Sequence, residues 1–266
     1  MKSTHLLTAL VTTVALLTTP LTAQDKKPDA PKAGDKKGAD KKPAIKAAPQ
    51  APDVAAPKVD GTGQPQAGFV GMHNSFLKIA KEGKAQVVFL GDSITQGWGG
   101  QKAIWEKAFG KYKPANFGIG GDRTQHVLWR IQNGELEGIK PKAVVIMIGT
   151  NNSGSDSAEG IAKGVTKIVE TVRAKQPDAK ILLLAVFPRG EKASPNPGRD
   201  KLKAVNAIIA KLHDGKSVHY MDIGEKFLQA DGVLTKEIMP DFLHLSSKGY
   251  QIWADAITAK LDELTQ

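Results

Sequence analysis

Residues 143–172 read AVVIMIGTNNSGSDSAEGIAKGVTKIVETV and contain a strand, a loop and a helix in succession. The first six residues form a continuous apolar run that ends at Gly149, which is typical of a strand covered on both faces. Apolar residues then recur at helical spacing behind Ser157, a residue type that favours a helix N-terminus. A strand that leads into a helix is the repeating unit of a parallel α/β sheet.

The same alternation extends to both sides of this unit. Further continuous apolar runs predict strands at 87–90, 115–117, 180–186 and 218–222. Helical spacing predicts two more helices, over 202–212 and 250–264, with Ser246 or Ser247 as the cap of the last one. We therefore predict an α/β fold with a parallel five-stranded sheet and helices on both faces, and a site at the carboxyl ends of the strands.

The composition and charge of the chain exclude several classes of function. The chain has 266 residues, no cysteine and a net charge of +10. The absence of cysteine excludes disulfides, a thiol nucleophile and metal sites built on thiolates. The positive charges are not clustered with aromatic residues, which disfavours nucleic-acid binding, whereas weak association with an anionic cell envelope is compatible with them.

The first 23 residues resemble a secretory signal peptide. Lys2 precedes a mostly apolar run at 6–17, and Ala23 offers a small residue before a cleavage site. The run is too short to span a bilayer, which needs about 20 residues, so no membrane span is predicted. We expect cleavage near Ala23 and export to the periplasm or the extracellular space.

Residues 24–66 differ in composition from the rest of the chain. They contain nine lysines, seven prolines and no aromatic residue. Such a segment has little apolar surface to offset the entropy of ordering. It is predicted to be a disordered linker, so that a chain starting near residue 67 folds alone and the catalytic domain covers 67–266.

Two pairs of residues suggest nucleophilic catalysis. Ser93 directly follows the first strand and Gly91, at the start of a helix whose dipole favours developing negative charge. It is either a nucleophile or a helix cap. Asp241 precedes His244 by three residues, close enough to orient the imidazole as a base, although His244 can also be a capping or surface residue.

Two further loops offer hydrogen-bond donors. The glycines around Gly120 allow backbone N–H groups to approach a ligand closely. A dinucleotide loop is the rival interpretation, but Arg123 occupies the position of its third glycine. After the next strand, Asn151 has an amide that can donate to an oxyanion, or it belongs to an ordinary asparagine-rich turn.

Together these segments resemble the four ordered blocks of the SGNH/GDSL hydrolases, and residues 116–152 resemble the catalytic alpha subunits of platelet-activating-factor acetylhydrolase I. The resemblance covers 67–266. It implies a flavodoxin-like three-layer α/β/α sandwich and hydrolysis of a small ester of a carbohydrate or lipid, with no metal and no organic cofactor. The oligomeric state is not specified by the sequence.

The resemblance also implies a role for each block. Ser93 would be the nucleophile, His244 the base and then the acid, and Asp241 the residue that orients His244. The backbone N–H groups of Ser93 and Gly120 and the side chain of Asn151 would form the oxyanion hole.

The acyl group is expected to be short. Ile94 follows the nucleophile, Leu243 precedes the base and Thr150 precedes Asn151, so all three are predicted to border the acyl site. In the acetylhydrolases that the chain resembles, bulky residues at these places restrict the pocket to acetyl. The alternative is that Ile94 and Leu243 pack in the core.

Other functions remain as alternatives at this point. A lysophospholipase or thioesterase of the same fold would have a longer acyl pocket. A carbohydrate-binding module without catalysis would not need the complete set of site residues. A nucleotide-binding flavodoxin-like protein is disfavoured because the chain lacks a Gly-x-x-x-x-Gly-Lys-Ser/Thr loop.

Overall fold

A computed structural model describes residues 50–266. All five predicted strands are present, with ends that differ by at most two residues from the prediction. They are β1 (Val87–Gly91), β2 (Ala115–Gly118), β3 (Ala143–Met147), β4 (Lys180–Leu184) and β5 (Val218–Met221). Every neighbouring pair is parallel, and the strand order is β2-β1-β3-β4-β5.

Helices cover both faces of this sheet. Those predicted from spacing are confirmed as α5, α6 and α7, and the rest of the described chain adds four more. The helices are α1 (Ala67–Glu82), α2 (Ser93–Gln96), α3 (Lys102–Phe109), α4 (Thr124–Arg130), α5 (Ala158–Lys175), α6 (Pro197–Ile209) and α7 (Ser247–Leu264). Short 3-10 helices lie at 97–100, 110–112, 150–152, 210–212 and 224–227, and a π-helical turn lies at 131–135.

Two apolar clusters, one on each face, make up the core. In β3, Val144 and Ile146 point into the cluster formed with α1, α4, α5 and α6, whereas Val145 and Met147 point into the cluster formed with α3 and α7. Because side chains alternate across a strand, both faces of the central strands are apolar. This three-layer α/β/α arrangement explains why the sequence shows continuous rather than alternating apolar runs.

The predicted serine caps are present. Ser157 Oγ accepts a hydrogen bond from the Gly160 N–H at the start of α5 at 3.1 Å. Ser246, not Ser247, caps α7 by accepting from the Gly249 N–H at 3.2 Å. Each bond satisfies one of the N–H groups that a helix start leaves without an intrahelical partner.

Residues 50–66, which we call the N-terminal arm, lie on the folded domain. His126 Nε2 donates to Gln50 Oε1 at 3.1 Å, and Thr124 Oγ1 donates to the Pro52 carbonyl at 2.8 Å. Asp53 pairs with Lys163 of α5 at 2.6 Å. The arm therefore runs across the starts of α4 and α5.

The N-terminal arm thus contacts the domain that was predicted to begin at residue 67, and that boundary stays a prediction. The prediction rested on the scarcity of large apolar side chains, and the arm does leave Val54 exposed. It is held instead by hydrogen bonds and ion pairs, which composition does not reveal. Residues 24–49 of the predicted linker and the predicted signal peptide lie outside the described residues.

In the part of the chain described here, no helix combines the length and the apolar character that crossing a membrane requires.

Candidate active site

The loops that follow β1, β2 and β3 leave the sheet at one edge. The strand register places Gly91 beside Gly118 on one side and beside Met147 on the other. A Cβ on Gly118 would lie 2.2 Å from the backbone nitrogen of Gln96, so only glycine lets α2 pack this closely against β2. This close approach brings the predicted site residues together.

Ser93 is the first residue of α2. Asp92 caps this short helix, because its Oδ1 accepts from the Ile94 N–H at 3.0 Å. From the other side, the Tyr250 hydroxyl of α7 donates to the Ile94 carbonyl at 2.7 Å. These two hydrogen bonds hold the backbone of Ile94, the residue after Ser93, in place at the end of β1.

Ser93, His244 and Asp241 form a continuous chain of hydrogen bonds. Ser93 Oγ lies 2.8 Å from His244 Nε2, and His244 Nδ1 lies 2.6 Å from Asp241 Oδ2. Since Nδ1–H donates to the carboxylate, Nε2 is left to accept the serine proton. The His244 and Asp241 side chains are about half exposed, at 45% and 55%, so substrate can reach them from solvent.

The electrostatics keep Asp241 ionised. Partial burial raises the pKa of its carboxyl group, but hydrogen bonds from the His244 ring and from the backbone N–H groups of His244 and Leu243 outweigh this effect. The pKa of Asp241 therefore lies below its ordinary value. A carboxylate in this state orients the imidazole and stabilises its protonated form.

A tight turn brings Asp241 and His244 together. Phe242, between them, has a φ of 58°, in the left-handed region that favours glycine. Its carbonyl accepts from the Gly190 N–H at 2.8 Å. This bond holds the turn in a backbone conformation that residues other than glycine rarely adopt.

Two of the predicted oxyanion donors already have partners. The Gly120 N–H donates to Gln96 Oε1 at 2.9 Å, and Asn151 Nδ2 donates one hydrogen to the Asp122 carbonyl at 2.8 Å. Gln96 was not singled out from the sequence. The available signal was its position three residues after Ser93, on the same side of α2.

The three residues predicted to border the acyl group differ in accessibility. Ile94 and Thr150 are each only 1% exposed, so the prediction that they present surface to the acyl group is not supported. Ile94 packs into the core with α7, and the Thr150 hydroxyl accepts from Arg189 Nη1 at 3.3 Å. Leu243 is partly buried and remains the accessible member of the set.

A buried charge cluster behind the Gly120 loop was missed in the sequence. Arg130 Nε contacts Asp122 Oδ2 at 3.0 Å, and Arg130 Nη1 contacts Glu135 Oε1 more closely. These three side chains have no exposed surface. Lys58 of the N-terminal arm completes the cluster, because its Nζ lies 2.8 Å from Asp122 Oδ1.

Among residues 50–266, no three side chains of histidine, aspartate or glutamate are grouped so that they could hold a metal ion.

Comparison with known proteins decides the family. Residues 89–252 match the GDSL-like lipase/acylhydrolase family. The chain belongs to this family. The GDSL-like match includes Ser93, the Gly120 loop, Asn151 and the Asp241–His244 turn, and it begins 31 residues after Lys58.

Similar proteins agree with this assignment. The chain is 43% identical over 183 residues to the alpha1 subunit of platelet-activating factor acetylhydrolase IB from Bos taurus, covering 68% of this chain and 77% of that subunit. It is 44% identical to the alpha2 subunit from Rattus norvegicus over the same length, covering 68% and 78%. A GDSL-like lipase from Bacteroides thetaiotaomicron shares the fold, with a TM-score of 0.58 at 20% identity and coverage of 72% and 97%.

Membership in the GDSL-like family makes the protein a carboxylic-ester hydrolase. The alternatives of a non-catalytic carbohydrate-binding module and of a nucleotide-binding protein are therefore set aside.

Proposed function

We propose that this protein is a serine esterase that removes short acyl groups, above all acetyl, from an alcohol. The observation that carries the proposal is the hydrogen-bonded chain from Ser93 Oγ through His244 to Asp241, at 2.8 and 2.6 Å. A serine hydroxyl becomes an effective nucleophile when an oriented imidazole accepts its proton.

The first half of the reaction transfers the acyl group to the enzyme. Ser93 Oγ attacks the ester carbonyl carbon while His244 Nε2 takes the hydroxyl proton. The carbon–oxygen bond to the alcohol then breaks, and His244 returns the proton to the leaving oxygen. The alcohol departs, and the acyl group stays on Ser93 as an ester.

The second half uses the same groups in reverse. A water molecule gives a proton to His244 Nε2 and attacks the acyl carbon. The bond to Ser93 Oγ breaks, and the serine oxygen takes the proton back. In both halves the N–H groups of Ser93 and Gly120 and the second amide hydrogen of Asn151 would stabilise the oxyanion.

Substrate must displace the side chain of Gln96 for this to happen. The Gly120 N–H has one hydrogen and points at Gln96 Oε1, 2.9 Å away. An oxyanion bound to the same hydrogen would have to occupy nearly the same place. In the resting enzyme the glutamine oxygen therefore stands where the substrate oxygen is expected.

Acetyl preference rests on two kinds of support. The relatives of 43–44% identity are named as acetylhydrolase subunits. In this chain, the partly buried side chain of Leu243 directly precedes His244, where it would narrow the space for the acyl group. We expect kcat/KM to fall at least about tenfold from acetate to hexanoate esters of one alcohol. A rise with chain length would favour the lysophospholipase or thioesterase alternative.

The decisive test of the proposed nucleophile is Ser93→Ala. The variant should fold normally and lose at least about three powers of ten in kcat. A serine-reactive phosphonate should add its mass to the Ser93 peptide of the wild-type protein. Labelling at another residue, or a variant that keeps more than a few per cent of the activity, would exclude the assignment.

We further propose that the mature enzyme is exported, on the basis of the signal-like residues 1–23. An exported esterase meets acetylated carbohydrates or lipids of the cell envelope, so these are the alcohols to screen first. Fractionation of the native host with an antibody against residues 67–266 tests the location. Detection only in the cytosol would contradict export.

A further inference from the structure

Lys58 contacts the loop that carries a proposed oxyanion donor, although it lies far away in the chain. Its Nζ donates to the Gly120 carbonyl at 2.7 Å and lies 2.8 Å from Asp122 Oδ1. The lysine side chain is only 14% exposed. It comes from the N-terminal arm, outside the residues that match the family.

The two atoms that Lys58 contacts belong to Gly120 and Asp122, and each of these residues adjoins one proposed oxyanion donor. The Gly120 carbonyl belongs to the residue whose N–H is the backbone donor. Asp122, whose carboxylate meets Lys58, has the carbonyl that accepts from Asn151 Nδ2 at 2.8 Å. A single ammonium group thus holds the loop at two points, and each point adjoins a donor.

The loop needs such support because of its own sequence. Gly120 and Gly121 are adjacent, and Gly121 has a φ of 74°. Glycine has more conformational freedom than any other residue, so a glycine pair does not fix its own peptide planes. An oxyanion donor is effective only when its direction is fixed before the reaction.

Charge balance supports the same role. Burial raises the pKa of the Asp122 carboxyl, and the guanidinium of Arg130 and the ammonium of Lys58 act against this rise. Arg130 faces two buried carboxyl groups, Asp122 and Glu135, and burial raises the pKa of Glu135 to about 7, so that this second group is only partly ionised near neutral pH. Without Lys58, the loop would therefore lie on a buried cluster that gains an excess negative charge as Glu135 ionises.

We infer that Lys58 is a positioning residue for the oxyanion hole, supplied to the active site by the N-terminal arm. This inference rests on the proposed function. Lys58 does not touch the reacting atoms. It holds the Gly120 carbonyl, in the peptide that follows the donor N–H, and, through Asp122, it holds the amide of Asn151. Its loss should therefore reduce stabilisation of the transition state more than binding of the ester.

The test is Lys58→Met, which keeps most of the aliphatic stem and removes the ammonium. We expect kcat for an acetate ester to fall at least about tenfold while KM changes by less than about threefold. Binding of methylboronic acid, a tetrahedral mimic, should weaken by a similar factor. The matched control is Lys163→Met, which breaks the Asp53 ion pair of the same arm and should keep kcat within about twofold.

A double variant separates positioning from charge balance. Lys58→Met with Asp122→Asn removes the excess negative charge, so thermal stability should return towards the wild-type value. The value of kcat should stay low, because nothing holds the Gly120 carbonyl. The double variant also provides the activity test if Lys58→Met alone does not fold.

Several results would overturn the inference. They are a Lys58→Met enzyme with wild-type kcat, an equal loss of kcat in Lys163→Met, and a double variant that regains full activity. Ser93→Ala is measured in parallel. If it stays active, the proposed function fails, whereas an inactive Ser93→Ala beside a fully active Lys58→Met refutes the role of Lys58 alone.

Discussion

Asp92 lies next to the proposed nucleophile and carries a carboxyl group that the fold buries completely. One oxygen accepts from the Ile94 N–H, and the other has no partner within the described residues. Burial raises the pKa of Asp92 to about 7. The residue caps α2 at the cost of holding a carboxyl group away from water.

Replacing Asp92 with asparagine should change how stability depends on pH. An unfolded aspartate has a pKa of about 3.9, so the wild-type protein loses stability as pH rises from about 4 to about 7. Asp92→Asn keeps the oxygen that accepts from Ile94 and removes this titration. Between about pH 5 and pH 8, urea unfolding should show that the stability of the variant rises relative to that of the wild type, by at most about 3 kcal/mol. Equal slopes against pH would contradict the raised pKa.

Leu243 is the residue through which acyl length should be set. Leu243→Ala enlarges the space beside His244 but keeps the backbone N–H that donates to Asp241 at 3.1 Å. We expect hexanoate turnover to rise relative to acetate, so that the tenfold fall becomes about twofold, with acetate turnover retained. The control is Ile94→Val, which should cost about 1 kcal/mol of stability and leave the chain-length profile unchanged. The reverse pattern would place the acyl group against Ile94.

The sequence predicted the residues that we propose to react, but not the residues that support them. Ser93, Asp241 and His244 follow from residue type and spacing, because each contact is either local or at the end of a strand. Gln96 and Lys58 contact the Gly120 loop from segments that are distant from it in the chain. Such contacts depend on tertiary geometry, and no spacing along the chain reveals them.

Among the elements, α7 connects His244, the proposed general base, to the rest of the fold. It begins three residues after His244, and Tyr250 on its first turns donates to the Ile94 carbonyl behind the serine. Trp253, one turn later, packs against Trp98 with ring centroids 5.1 Å apart. The position of His244 relative to Ser93 therefore depends on how this helix starts.

Comparing two serine caps tests that dependence. Ser246→Ala and Ser157→Ala each remove one N-cap, at α7 and α5 respectively, and each should cost about 1 kcal/mol in urea unfolding. Only Ser246→Ala should also lower kcat, because it loosens the turn that carries His244. Ser246 Oγ also donates to the Glu237 carbonyl at 2.6 Å, which ties this turn to the preceding loop. Equal kcat in both variants would show that the histidine is held without the cap.

The elements themselves were predictable to different degrees. The five strands and α5, α6 and α7 show clear apolar periods, because one face of each helix meets a large core. Helix α4 was not predicted, since it buries polar side chains such as Gln125, His126 and Arg130. Gln125 accepts from Asn152, His126 donates to Gln50 of the arm, and Arg130 belongs to the charge cluster. These partners allow polar side chains to be buried, which breaks the usual link between burial and apolar character.

At the scale of the whole molecule, the active site is assembled from both faces of the sheet. α7 and the turn with His244 belong to one face, while α4, α5 and the N-terminal arm belong to the other. The two sides meet at the carboxyl edge, around Ser93 and Gly120. Geometry at the site therefore depends on both layers being complete, including the arm.

A pair of truncations tests whether the arm is part of the working domain. A chain that starts at residue 50 keeps Gln50, Pro52, Asp53 and Lys58 with their contacts, whereas a chain that starts at residue 67 loses them all. Both lack residues 1–49, so any effect of that segment is shared.

Because hydrogen bonds and a buried ion pair are removed, the shorter chain should unfold at a lower urea concentration, with Asp122 left without its lysine. Its kcat on an acetate ester should fall at least about tenfold below that of the longer chain, as in Lys58→Met. Similar stability and activity in the two chains would instead support the boundary at residue 67 that composition predicts, and would mean that the arm rests on the domain without contributing to it.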